Sequence, residues 1–165
     1  MISRIGTVVA VVFLLLFLGV SSDAHAQKMN SAPSEQDEAI ILQSWHGDFP
    51  VSQLNLLPEN QRESSVGYIS DAKIFADVWQ TFNTGEIVPE IDFKTNLILF
   101  ARNTQFYNRI SIGRVNVKDG AAELLAMETL SAMPIEDKVA ISMVLVERRN
   151  IKAVRTAEDL VPIAD

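Results

Sequence analysis

The chain has 165 residues, 48% of them hydrophobic, and a formal net charge of −7, a one-domain length with a globular rather than a disordered composition. It holds no cysteine and two histidines, which excludes thiol catalysis, disulfide staples, iron–sulfur clusters and cysteine-ligated zinc. The acidity also argues against nonspecific nucleic-acid binding, which requires clustered cations to displace counterions.

Arg4 precedes an apolar run from Val8 to Val20, which gives way to Ser21-Ser22-Asp23-Ala24-His25-Ala26. A positive start, an apolar stretch of about 7–15 residues and a small-x-small site form a secretory signal. The run also falls short of the roughly 20 residues that a helical membrane crossing needs. Residues 1–26 are therefore read as a signal peptide, with the mature protein beginning at Gln27, exported to a periplasmic or extracellular location and released from the membrane after cleavage; an uncleaved anchor is the alternative. With no cysteine after the apolar run, a cysteine-linked lipid anchor is excluded. His25 departs with the signal, leaving His46 as the one imidazole, so clustered-histidine metal sites are excluded too. Residues 27–38 are small and polar and read as a flexible tether. Residues 39–165 are read as a single globular domain.

Within that domain, Ala39 to Trp45 reads as a first strand, with Gly47-Asp48-Phe49-Pro50 as its punctuation. Leu54 to Pro58 suggests a loop with one buried turn, and Val66 to Ile69 a short strand. Ser70 is placed as the cap of a helix whose Ile74, Phe75, Val78, Trp79 and Phe82 recur on one face, and Asn83-Thr84-Gly85 stops it. Asn96 to Ala101 is apolar at nearly every position, the mark of a strand buried on both faces and the centre of a sheet. Ile110 to Val117 follows with a bulge expected at Gly113, then Lys118-Asp119-Gly120-Ala121 as a hairpin turn and Glu123 to Thr129 as the returning strand. Lys138 to Glu147 is a last long strand. The expectation is an α+β fold: an antiparallel sheet of about six strands with one main amphipathic helix packed on it.

Ser44, His46 and Asp48 would share one face of an extended strand, but a line of residues is not a convergent triad, and the chain has no Gly-x-Ser-x-Gly elbow. No catalytic residue is assigned. Glu86, Glu90 and Asp92 lack the spacing of a calcium loop and read as solvated, so no metal ligand and no cofactor is assigned either. Arg148, Arg149, Lys152 and Arg155 make the one basic cluster, able to receive a carboxylate or an acidic surface, or simply to solvate a turn. The connection between two strong strands holds Arg102, Asn103, Phe106, Tyr107 and Arg109. Loops on a rigid scaffold carry binding, and tyrosine and arginine are enriched at interface hot spots, so these five residues are the binding candidates.

The amphipathic helix, then Val88-Pro89-Glu90-Ile91-Asp92-Phe93, then the apolar strand from Asn96 to Ala101 and a late β-rich strand resemble the PrcB C-terminal-like family, small exported domains linked with a protease complex. The resemblance spans about residues 66 to 146. Family members commonly follow the central strand with a Thr-Gly-Gly-Tyr type turn, where this chain has Asn103-Thr104-Gln105-Phe106-Tyr107-Asn108, and Tyr107 alone has a counterpart. The resemblance implies a noncatalytic accessory module.

The functional expectation is an exported binding or accessory domain whose partner is another envelope or secreted protein, or a small ligand, and not a nucleic acid. Two alternatives belong to other classes. One is a hydrolase using carboxylates alone, which requires two of Glu86, Glu90, Asp92, Glu123 and Glu128 to converge in a pocket. The other is a structural component of an envelope assembly, whose mark is a contiguous exposed apolar patch.

Overall fold

The computed structural model describes residues 36–131, 133–157 and 159–164. Residues 1–26, read above as a signal peptide, and the expected tether as far as residue 35 lie outside the described residues. The described chain is α+β and sheet-dominated, with nine strands and one α-helix: β1 (Gln36–Glu38), β2 (Ile41–Pro50), β3 (Val66–Ile69), α1 (Ala72–Phe82), β4 (Asn96–Arg102), β5 (Ile110–Lys118), β6 (Ala121–Glu128), β7 (Lys138–Glu147), β8 (Ala153–Arg155) and β9 (Leu160–Pro162). The strands divide over two sheets, one ordered β1-β5-β6-β8-β9 and the other β2-β7-β4-β3.

Strand β4 explains the layering. Side chains alternate across a strand, and here both sets are apolar. Leu97, Leu99 and Ala101 join Ile110, Ile112, Val115 and Val117 of β5 in a core between the two sheets. Ile98 and Phe100 join Phe75, Val78 and Trp79 of α1 in a second core on the other face. The four-stranded sheet is therefore the middle layer, covered by the five-stranded sheet on one side and by α1 with the Val51–Leu56 3-10 turn on the other.

Local chemistry sets most boundaries. The cap of α1 is Asp71, one residue later than expected: its extended backbone lets the carboxylate accept the Ile74 N–H at 2.9 Å. Gly85 has φ +87° just after the helix, and Asp119 and Gly120 have φ 53° and 80° in the β5–β6 turn, as a tight hairpin requires. The β5–β6 register shifts between Ile112 and Arg114, so the bulge falls at Gly113.

Non-local pairing sets the rest. β2 runs on through Gly47 to Pro50, because Lys138 to Ile141 of β7 supply its ladder partners. Both Gly and Pro are tolerated there since β2 is an edge strand. Gln36–Glu38, the last residues of the segment read as a tether, pair with Asn116 to Lys118 of β5. The short β8 and β9, which carry no marked sequence signal, extend the five-stranded sheet, and Tyr68 ties them to the middle layer by donating its hydroxyl to the Pro162 carbonyl at 2.8 Å. Among the described residues no helix is long and apolar enough to cross a membrane.

Candidate functional site

A polar cluster built from three separate parts of the chain lies where β2, the start of β7 and the loop after β4 meet. On β2, Asp48 stands opposite Ala140, and Pro50 opposite Lys138. Residues two apart on a strand share a face, so Lys138 and Asp48 are diagonal neighbours, and Lys138 Nζ lies 2.6 Å from Asp48 Oδ2. Tyr107 reaches the same carboxylate from the loop and donates its hydroxyl to Asp48 Oδ1 at 2.5 Å. Lys138 Nζ also sits 5.3 Å from the Tyr107 ring centroid, within cation–π range.

The loop that carries Tyr107 is pinned along its length. The Arg102 N–H donates to Ser65 O at 2.8 Å, that of Asn103 to Ala140 O at 3.1 Å and that of Tyr107 to Met133 O at 2.9 Å. The Asn108 N–H donates to Asn103 Oδ1 and the Arg109 N–H to Thr129 Oγ1, each at 3.0 Å. Of the five binding candidates, Arg102 and Asn103 are buried, at 5% and 2% exposure. Arg102 donates to the carbonyls of Asn103 and Arg62, so it closes the end of the helix-side core; burial pulls its guanidinium below its ordinary value, with Glu63 opposing. Phe106, Tyr107 and Arg109 face outward to different degrees. The pinned loop thus holds Tyr107 and Arg109 over β2, while Arg102 and Asn103 form its footing.

Two open clefts flank Tyr107. One, of about 560 Å³, is lined by His46, Gly47, Asp48, Phe82, Tyr107, Arg109, Ile110 and Ala140. The other, of about 350 Å³, is lined by Tyr107, Met133, Pro134, Glu136, Asp137 and Lys138. Among the described residues the Arg109 guanidinium makes no hydrogen bond or ion pair, so it is free to meet a ligand at the first cleft.

Partial burial raises the Asp48 carboxyl, but hydrogen bonds from Lys138 and Tyr107, with the charges of Lys138 and Arg109, outweigh it and hold the group below the usual carboxylate range. The hydrogen bond to Asp48 raises the Tyr107 hydroxyl, helped by burial and the carboxylate charge. The same carboxylate raises the Lys138 ammonium. Every shift moves away from neutral pH, so aspartate stays ionised, tyrosine protonated and lysine charged. A general acid or base needs the opposite, a value drawn toward the working pH.

These directions fix a pH dependence. A lowered carboxyl contributes stability above its unfolded value and loses it as pH falls through the lower folded value; raised Tyr107 and Lys138 contribute below their unfolded values and lose it as pH rises through the higher folded ones. Asp48→Asn is expected to lower Tm most between about pH 5 and pH 9, with the difference shrinking on both sides. Because the Asp48 and Lys138 side chains are 43% and 49% exposed, the loss is small, about 1–3 °C, and thermal melts of both proteins across pH check it.

The other sequence candidates occupy separate places. Ser44 and His46 share the Asp48 face of β2, but Asp48 is engaged by Tyr107 and Lys138 rather than by His46. Asp92 accepts from the Lys94 N–H and the Thr95 hydroxyl, each at 3.0 Å, in the turn before β4. Glu123 pairs with Arg155 at 2.6 Å, and Glu128 accepts from Asn108 Nδ2 at 3.3 Å. Among the described residues no three His, Asp or Glu side chains group as a metal site. The basic cluster is spread out: Arg148 donates to Ala164 O at 2.8 Å, Arg155 is held by Glu123, and Arg148 and Arg149 line a cleft with Lys94 to Asn96. Lys138 was not a sequence candidate, since its partner Asp48 lies 90 residues away; its position at the head of an otherwise apolar strand was the one available signal.

Fold and site together define a three-layer α+β domain with a cleft of mixed polar and apolar lining at the margin of its middle sheet. Compared with family models, with curated proteins and with solved structures, the chain has no match.

Proposed function

We propose that the chain is an exported, noncatalytic accessory domain that binds another protein in the cell envelope through the cleft at Tyr107 and Arg109. The observation that carries this reading is the Asp48–Tyr107–Lys138 cluster, which fixes Tyr107 on a pinned loop and leaves Arg109 unpaired beside it among the described residues. Pre-organised tyrosine and unpaired arginine are what a hot spot needs, because little ordering cost remains when a partner carboxylate arrives. The resting charge states of the cluster favour recognition over proton transfer. Residues 1–26 supply the export step of the proposal, and the resemblance over residues 66 to 146 accords with an accessory role.

The double variant Tyr107→Ala, Arg109→Ala is expected to lose at least about tenfold in partner affinity when recovered against envelope extracts, with a melting temperature within a few degrees of the parent. Undiminished recovery overturns the assignment of the site. Fractionation with N-terminal sequencing tests export separately: an envelope species beginning at Gln27 supports it, and a cytoplasmic species retaining residues 1–26 overturns it.

A further inference from the structure

Strand β6 is the exception among the edges of the two sheets. β1 and β9 are three residues long, β3 is four, and β2 carries Gly47 and Pro50. Short strands, proline and irregularity are the usual protection of an exposed edge. β6 is eight residues long and pairs with β8 at Ala121 and Ala122 alone. Among the described residues, from Glu123 onward it has β5 on one side and no strand on the other. It contains neither lysine nor proline, and the bulge of the β5–β6 pair lies in β5.

That edge is also apolar. Leu125 and Met127, on the solvent face of β6, are 48% and 68% exposed, and Leu130 and Met133, on the segment that follows, are 102% and 59% exposed. A partner-free edge would normally place charge at such positions. From Ala121 to Asp137 the chain has Glu123, Glu128, Glu136 and Asp137 and no lysine or arginine, while Arg114, across the ladder from Leu125, is paired with Glu38 at 3.5 Å. Arg155 neutralises Glu123, while Glu128 and Glu136 have no ion pair among the described residues.

We propose that the free edge of β6 takes up an extended segment of a partner protein in which apolar residues alternate with lysine or arginine, adding a strand to the five-stranded sheet. Backbone groups from Glu123 to Glu128 supply the ladder, Leu125 and Met127 supply cross-strand apolar contacts, and the uncompensated carboxylates select basic residues. A second copy of the chain would bring the same carboxylates to the edge, so charge favours a basic strand over self-pairing. The β6 residues Leu125, Met127 and Glu128 line neither cleft at Tyr107, although Met133 and Glu136 line the second of them, and the inference does not depend on the Asp48 cleft binding anything.

The test uses the full chain and short labelled peptides: one alternating valine with lysine, one alternating valine with glutamate, and the first peptide N-methylated at alternate residues. The valine–lysine peptide is expected to bind about tenfold or more tightly than either control, and to weaken as salt rises. Leu125→Lys with Met127→Lys, both exposed and so compatible with folding, is expected to weaken it about tenfold with an unchanged melt. The Tyr107→Ala, Arg109→Ala variant is expected to bind it as the parent does, which separates this inference from the cleft reading. Equal binding of the valine–glutamate peptide, indifference to N-methylation, or full binding by the double-lysine variant overturns the proposal. So does sedimentation showing a dimer that the double-lysine variant abolishes, which would make a second copy the occupant.

Discussion

Replacing Gly67 by alanine is expected to destabilise the domain by about 3 kcal/mol, or roughly 10 °C in Tm, as measured by denaturant and thermal unfolding. The Cβ would land on the Gln61 side-chain oxygen and within 2.5 Å of Phe100 Cζ and 2.8 Å of Cε1. Neither neighbour can withdraw. Gln61 is 1% exposed and its Oε1 accepts the Tyr68 N–H at 2.6 Å, while Phe100 is wholly buried in the helix-side core. The methyl group therefore breaks a buried hydrogen bond or displaces a packed ring, and each is costly. Adding Phe100→Leu should recover part of the loss, a non-additivity expected of touching residues. A Gly67→Ala protein as stable as the parent would show that β3 is not held against Phe100.

Phe75→Ala is expected to cost about 3–5 kcal/mol, the range for emptying a buried phenylalanine site. Phe75 is 1% exposed, with ring centroids 6.1 Å from Trp45, 5.7 Å from Trp79 and 5.9 Å from Phe93. It is the ring through which α1 meets both the edge strand β2 and the segment before β4. Because Trp45 and Trp79 are the two tryptophans of the chain, the same variant has an optical signature. Native-state emission should shift to the red as water reaches the cavity, alongside a lower urea midpoint. A loss below about 1 kcal/mol would mean that the helix layer contributes little to the fold.

What could be read from the sequence was what is decided within a few residues. The doubly apolar run in β4, the Asp119-Gly120 turn, the bulge at Gly113 and the amphipathic face of α1 all carry their cause locally, and each is where the residues placed it. The division of strands between two sheets was not readable, because alternation says which residues are buried but not against which layer. β1 lacked apolar residues altogether and forms by pairing with β5. At the site, Tyr107 and Arg109 stood out by residue type in a loop between strong strands. Asp48 stood out only as a member of a serine–histidine–aspartate line. Its partners come from 59 and 90 residues away, a proximity that no local pattern encodes.

Strand β7 lies between β2 and β4, and both of these precede it in the chain. The middle sheet thus cannot close until the segment Lys138–Glu147 is available, and register pairs such as Ser44 with Val144 span most of the domain. Loop-closure entropy must be overcome before such contacts bring any burial, which places this topology among slow folders, on the order of milliseconds to seconds. Until then β4 has β3 on one flank only, with Leu97 to Ala101 presenting apolar side chains on both faces and an unmatched row of amides along the other flank. The interval before β7 docks is consequently the period in which the chain is most prone to aggregate.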